Sequence, residues 1–316
     1  MRLLSRVAER LYWMARYLER AEDTARLLRS YTHMVMDIPD GSEPGWDVLL
    51  QSLNAQEDFG EKYRAANETN VLKFIMAESD NPGSIASSIQ AARENVRTTR
   101  DVLPAEVWEH VNELYLYTQE YAEKSVGRRH RHKFLEQVIG RCQMINGLIM
   151  TTLCRDHSYR FIRIGNLLER ADMTTRVLDA VIGALMNEER NPSTADPLIW
   201  ASVLSSLSAL ETYRRTIGPL VERPEVVDFI FRDDSLPHEH ARELEGIDQI
   251  LCDNPTIPRL VWKDLLGGRT GGREPRGRPG LSADLTLRAA IIKQMNGFSY
   301  EELTFHLADS LSYRRF

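Results

Sequence analysis

The sequence lacks the short motifs by which several large enzyme classes are recognised. It contains no glycine-rich phosphate-binding loop, no CxxC pair and no GxSxG motif, so the standard nucleotide-binding, thiol-redox and serine-hydrolase signatures are excluded. The longest apolar run, residues 145–153, is interrupted by Asn146 and is far shorter than the about 20 residues that a membrane span needs. With no signal-peptide pattern at the N-terminus, we expect a soluble protein.

Cysteine is also scarce. The three cysteines, Cys142, Cys154 and Cys252, are odd in number and widely spaced in a chain of 316 residues, which excludes a disulfide framework. This pattern is typical of a reducing compartment. The expected location is therefore the cytoplasm.

Alternating β-branched runs, which would indicate strands, are missing as well. Apolar residues recur instead at helical spacing, and turn-forming residues separate the helical segments. The predicted fold class is all-α, a helical bundle. The main predicted helices are 4–36, 46–64, 84–101, 104–124, 131–154 and 159–189.

One nonapeptide occurs twice in nearly the same form. LERAEDTAR stands at 18–26 and LERADMTTR at 168–176. Two further pairs of segments follow in the same order, WDVLLQSLNAQEDF with WASVLSSLSALETY and VLKFIMAESDNP with VVDFIFRDDSLP. Ordered matches of this kind predict two tandem pseudo-repeats, about 1–125 and 155–237, joined by the helix at 131–154.

The repeated motif places acidic and basic side chains along the border of an apolar helix face. Three interpretations remain open: ion pairs within each helix at i, i+4; a partly buried network between the two motif helices; or a polar cleft that binds an anionic or amide-bearing ligand through arginine. In the cleft, a glutamate would act as a base or metal ligand. The ligand or interface candidates are Glu19, Arg20, Glu22, Arg26, Glu169, Arg170, Asp172 and Arg176.

Other charged motifs carry less information. Arg93 and Arg97 share a helix face that we interpret as solvated, and His130 and His132 diverge on a helix, so a metal site there would need other ligands. No catalytic residue, metal ligand or cofactor is assigned from the sequence.

The segments SRVAERLYWMARYLERAEDTARLL, ARENVRTTRDVLPAEVWE and FIRIGNLLERADMTTRVLD together resemble the bacterial alpha-E family, helical proteins named for a Glu-Arg motif. The resemblance covers residues 1–237 and implies an all-helical fold. It also implies association with a circularly permuted ATP-grasp protein and a transglutaminase-like protein in ATP-dependent amide or peptide ligation. We therefore expect an interaction partner rather than an enzyme. The alternative is a ligand-binding or catalytic role for the two Glu/Arg stripes, which are Glu19, Arg20, Glu22 and Arg26 in the first motif and Glu169, Arg170, Asp172 and Arg176 in the second.

Residues 238–316 resemble the N-terminal region of an insertion-sequence transposase, with a flexible linker at 266–280. We expect the amphipathic segment 239–251 to dock on the helical domain, with self-association as the alternative. Residues 252–316 hold ten Lys/Arg against seven Asp/Glu, so only weak DNA binding is expected. The DNA-contact candidates are Lys263, Arg269, Arg273, Arg276 and Arg278.

Overall fold

The computed structural model describes residues 4–38, 45–186 and 196–232. All of them belong to the first of two compact units, Met1–Glu243, while the second unit, Leu244–Phe316, lies outside the described residues. The transposase-like segment 238–316, its linker 266–280 and the DNA-contact candidates therefore lie outside them too.

The described residues form helices and turns without any strand, which confirms the all-α class. In chain order the helices are α1 (Ser5–Asp37), α2 (Asp47–Ser52), α3 (Gln56–Lys62), α4 (Glu68–Met76), α5 (Ile85–Arg97), α6 (Ala105–Tyr121), α7 (Arg128–Thr152), α8 (His157–Met186), α9 (Asp196–Ser206), α10 (Leu210–Thr216) and α11 (Arg223–Arg232).

Helix α1 is the centre of the unit. Helices α5, α7, α8 and α9 all pack against it. Residues 24–28 form an unbroken buried run, longer than the 3.6 residues of one helical turn, so the helix is covered on every side at this level. A helix in this position must also bury its polar side chains, and Glu19 and Thr24 are 1% and 0% exposed. Such buried groups require partners.

The predicted helix 46–64 was wrong in one respect, because the structure divides it into α2 and α3. Asn54 adopts a left-handed backbone conformation (φ 52°), and the Ala55 amide donates to the Leu50 carbonyl over 2.9 Å. This is a helix-ending bond pattern that usually carries glycine, for which asparagine is the common substitute. Because neither Gly nor Pro stands at this break, the apolar pattern continues through it, and the predicted helix ran past it.

The same break occurs in the second part of the unit, between α9 and α10. Ser208 has φ 56°, and the Ala209 amide donates to the Leu204 carbonyl over 2.7 Å. Asn54 and Ser208 are the non-glycine residues with positive φ in the described part of the chain. They stand at the same register of the aligned segments that begin at Trp46 and Trp200.

The remaining predicted helices are present with shifted ends. Helix α5 stops at Arg97 and is followed by a 3-10 turn at Arg100–Val102, while α7 begins at Arg128, before the predicted residue 131. The Ser84 hydroxyl caps α5 by accepting from the Ser87 amide over 3.0 Å. The predicted residues 187–189 of the last helix lie outside the described range.

Helices α1 and α8 run in the same direction and approach closely. Contacts between them keep a nearly constant sequence separation, 153 from Arg16 to Glu169 and 151 from Glu19 to Arg170. A Cβ atom on Gly165 would lie 2.5 Å from the Tyr12 carbonyl oxygen and 2.9 Å from the Ala15 Cβ. Small residues at this level allow the two helices to pack directly against each other.

Candidate functional site

The two Glu-Arg pairs meet across the interface between α1 and α8 and exchange partners. Arg20 donates from Nε and Nη2 to the two carboxylate oxygens of Glu169, and Arg170 donates from Nε to Glu19 Oε1 over 2.7 Å. Both glutamates are 1% exposed. The second of the three interpretations, a partly buried network between the two motif helices, is thus confirmed. We call this interface, made by Arg16, Glu19 and Arg20 of α1 with Glu169 and Arg170 of α8, the seam.

Arg16 adds a second cation on one side of the seam. Its Nε donates to Glu169 Oε2 over 2.6 Å, and its guanidinium lies 5.4 Å from the centroid of the Trp13 ring. The Arg20 guanidinium lies 5.7 Å from the Tyr17 centroid, and the Trp13 and Tyr17 rings stack at 5.5 Å. These half-buried aromatic faces hold both guanidinium groups towards Glu169.

The intrahelical pairs are also present. Arg26 donates to Glu22 Oε1 within α1, and Arg176 Nε donates to Asp172 Oδ1 over 3.0 Å within α8. Each arginine also reaches the turn of the opposite part of the unit. Arg26 donates to the Ser208 hydroxyl, and Arg176 donates to the Leu53 carbonyl over 3.5 Å. Two of the three interpretations therefore hold together, since pairs within and between the helices form one network.

The two glutamates of the seam differ in their electrostatics. Burial works to raise the pKa of Glu169, but Arg16 and Arg20 outweigh it and hold this pKa below its usual range. Burial raises the pKa of Glu19, reinforced by Glu22 and only partly opposed by Arg170. Equivalent carboxylates in the two motifs thus differ in charge balance because they have different numbers of cationic partners.

Asp23 is a site residue that sequence reasoning missed. It stands four residues after Glu19, so the two share a helix face, and this spacing is the signal that would have found it. Burial raises its pKa well above the usual range, and Glu19 raises it further. The Asp23 Oδ2 and Glu19 Oε2 atoms are both buried without a hydrogen-bond partner.

A narrow pocket opens beside Asp23. Its polar wall consists of Asp23 from α1, Arg170 and Thr174 from α8 and Ser206 from α9, and apolar side chains complete it. The interior holds about one water-sized group. Of the eight sequence candidates, the structure places Arg170 in this wall and brings the others into the seam or its flanking pairs.

The weaker motifs take other positions. Arg93 was interpreted as solvated, but it packs on α6, donating to Asn112 Oδ1 over 2.8 Å and lying 4.6 Å from the Tyr115 centroid. His132 Nδ1 lies 3.3 Å from His33 Nε2 of α1. Among the described residues, no cluster of three or more His, Cys, Asp or Glu side chains has the arrangement of a metal site.

In the described part of the chain, every helix is too short or too polar to cross a lipid bilayer.

Comparison with known proteins relates the sequence of the chain to a family. Uncharacterized proteins of Mycobacterium bovis and of two Mycobacterium tuberculosis strains are each 24% identical to the chain over 268 residues. The alignments cover 79% of this chain and 30% of each relative, so the chain spans less than a third of the length of the curated relatives it matches. No solved structure matches the chain.

Residues 3–256 match Alpha-E, described as a predicted alpha-helical domain with a conserved ER motif. The match continues past residue 237, where the resemblance in the sequence was expected to end, and residues 238–256 of the transposase-like segment lie inside it. None of these matches supports a transposase fragment. Because the match spans most of the sequence and includes both Glu19-Arg20 and Glu169-Arg170, the chain belongs to the Alpha-E family.

Proposed function

We propose that the chain is a non-catalytic interaction partner in an ATP-dependent amide or peptide ligase system. Its partners would be a circularly permuted ATP-grasp protein and a transglutaminase-like protein, as the family resemblance in the sequence implies. The observation that carries the proposal is the length of the relatives, in which the matched region makes up 30% of a longer chain. In the relatives, the matched region is covalently joined to further sequence. In this protein, the same region is suited to bind the counterpart of that further sequence as a separate chain.

The pairing of the charged groups in the Glu/Arg stripes supports a non-catalytic role. Glu169 accepts from both Arg16 and Arg20, and its lowered pKa makes it a poor proton acceptor. Arg20 and Arg170 are in turn committed to carboxylates across the seam. Groups that satisfy one another inside an interface hold helices in register, whereas a catalytic base must face its substrate.

Affinity purification tests the proposal. The tagged full-length chain, expressed in its native host, is expected to co-purify with an ATP-grasp protein identified by mass spectrometry, and the tagged ATP-grasp protein should recover this chain in return. Recovery in neither direction would contradict the partnership.

A second measurement separates a partner from an enzyme. The reconstituted complex is assayed for ATP-dependent ligation, followed as ADP release, with the wild-type chain and with Asp172→Asn. Asp172 lies on the second Glu/Arg stripe, where its side chain is 20% exposed and pairs with Arg176. A non-catalytic partner should keep its turnover within about twofold, since each tenfold loss corresponds to about 1.4 kcal/mol of transition-state stabilisation. A loss of a hundredfold or more, with the complex still intact, would instead support an enzyme that uses the stripes.

A further inference from the structure

The two sides of the seam are not equivalent in charge. Arg16 pairs with Glu169, but the residue 150 positions after Arg16 is Asn166, and the residue 150 positions after Asp23 is Met173. The Glu169 side therefore has one more cation, Arg16, and the Glu19 side has one more carboxylate, Asp23. Among the described side chains, the Glu19 side holds three carboxylates, Glu19, Glu22 and Asp23, against two guanidinium groups, Arg26 and Arg170.

The excess negative charge lies where hydrogen-bond donors are missing. Glu19 is 1% exposed, its Oε1 accepts from Arg170, and its Oε2 has no partner. Asp23 Oδ2 is buried without a partner as well, and Asn166 Oδ1 is a third such oxygen on α8. Leaving a buried carboxylate oxygen without a donor costs several times more than an ordinary hydrogen bond contributes.

Arg170 is the cation of the pocket wall, and its Nε donates to Glu19, whereas the two hydroxyls of the wall offer acceptors. The Thr174 hydroxyl donates to the Arg170 carbonyl over 2.9 Å, and the Ser206 hydroxyl donates to the Val203 carbonyl over 2.7 Å. Since each hydroxyl has only one hydrogen, both oxygens can only accept from a group in the pocket. Beside Arg170, the wall thus presents the Asp23 carboxylate and two acceptor hydroxyls, and the charged groups of this side of the seam sum to one excess negative charge.

These requirements select the occupant. A group about the size of one water molecule must fit, carry one positive charge and donate several hydrogen bonds. Water donates two hydrogens and a single proton satisfies one oxygen, whereas an ammonium group offers three or four donors in the same space. We propose that this pocket binds an ammonium head group, either a free ammonium ion or the –NH3+ end of a primary amine, at the Asp23 carboxylate.

The raised pKa of Asp23 is consistent with such a site. Burial and the Glu19 carboxylate raise this pKa, so a proton competes with the ammonium group for the same charge. The titratable and charged groups around Asp23 are Glu19, Glu22 and Arg26 from α1, Arg170 from α8 and the buried Cys142 thiol from α7. Binding is therefore expected to weaken as the pH falls through the folded-state pKa of Asp23.

Calorimetric titration of the full-length chain tests the site. Ammonium chloride and n-butylammonium chloride are compared with potassium chloride at constant ionic strength, because the potassium ion has a similar size and charge but donates no hydrogen bond. Ammonium salts should bind saturably and potassium should not. A response to ammonium alone identifies the free ion, and a response to both salts identifies the head group of a longer amine.

Two variants locate the binding. Asp23→Asn should weaken ammonium binding by at least about tenfold, or about 1.4 kcal/mol, because the variant lacks the carboxylate charge that faces the ammonium group. Asp58→Asn, an exposed carboxylate on α3, should bind as the wild type does. Circular dichroism verifies that both variants are folded.

Equal responses to potassium and ammonium, or an unchanged affinity in Asp23→Asn, would overturn the proposal. So would infrared detection of a neutral Asp23 carboxyl at pH 7 that persists at saturating ammonium, because the occupant would then be a proton. The partnership with a ligase is unaffected by either result, since it is measured by co-purification.

Discussion

Glu169 is a buried carboxylate that holds two arginines of another helix. Its bonds to Arg16 and Arg20 link α8 to α1, and Glu169 is 1% exposed while the two arginine side chains are 15% and 24% exposed. Burying such a group is costly unless every charge is paired, and removal of one partner leaves the other uncompensated. We therefore expect substitution of Glu169 to destabilise the fold.

Glu169→Gln is expected to lower the free energy of unfolding by about 3 kcal/mol, because Arg16 and Arg20 then face a neutral amide in a partly buried interface. The measurement is urea denaturation at pH 7. The matched control is Glu211→Gln, which removes a surface pair with Arg214 in which Glu211 is 86% exposed, and it should cost less than about 1 kcal/mol. Similar costs for the two variants would mean that the seam contributes no more than a surface ion pair.

Asp23→Asn has the opposite expected sign. Burial raises the pKa of Asp23, so its contribution to stability is fully present below the unfolded-state pKa of about 3.9 and is lost as the pH rises through the folded-state pKa. Asparagine does not ionise, so the variant should be more stable than the wild type at pH 8. Each unit of pKa shift contributes about 1.4 kcal/mol.

Melting temperatures measured from pH 4 to pH 8 in an ammonium-free buffer check this expectation. The advantage of Asp23→Asn should shrink towards pH 4. If the difference in melting temperature does not depend on pH, or if the variant is less stable than the wild type at pH 8, the Asp23 pKa is not raised by burial.

At the scale of elements, close packing of α1 on α8 depends on Gly165. Gly165→Ala would bring a Cβ to 2.5 Å from the Tyr12 carbonyl oxygen, a backbone atom that cannot move away cheaply. Overpacking of this kind costs about 1–3 kcal/mol, more than the up to about 1 kcal/mol that alanine gains over glycine in a helix.

Gly147→Ala in α7 is the control, since nothing lies within 4 Å of its added Cβ. Gly165→Ala should therefore lower the melting temperature, and Gly147→Ala should raise it slightly. Thermal denaturation followed by circular dichroism distinguishes the two outcomes. An equal rise in both variants would show that the helices tolerate a wider separation.

Helical periodicity predicted most of these helices, and the repeated nonapeptide pointed to a network between α1 and α8 as one interpretation. The periodicity did not show the end of α2 at Asn54, because a left-handed residue other than glycine leaves the apolar pattern unbroken. Comparison of the two motifs also missed Arg16 and Asp23, because it selects residues that both motifs share. The charge imbalance arises where the motifs differ: the second motif has Asn166 in place of Arg16 and Met173 in place of Asp23.

At the scale of the whole molecule, the two parts of the unit repeat the same local geometry. Phe59 and Phe74 meet edge to face at 5.3 Å and 84°, and Tyr213 and Phe229 meet at 5.1 Å and 88°. The left-handed residues Asn54 and Ser208 precede these aromatic pairs in the same order. These equivalences support the predicted duplication, which stays a prediction, and they explain why the ion pairs of the seam are reciprocal.

The extent of the folding unit gives the last prediction. The family match ends at residue 256, whereas the resemblance in the sequence ended at 237. A domain cut inside its own sequence exposes apolar surface that was buried, at about 25 cal/mol for each Å². A chain truncated after residue 256 should therefore keep the melting temperature of the full-length chain, and one truncated after residue 237 should melt several degrees lower or aggregate. Calorimetry and light scattering on the three chains measure both. If the shorter truncation is as stable and monomeric as the longer one, residues 238–256 do not contribute to the fold, and the boundary at 237 is the correct one.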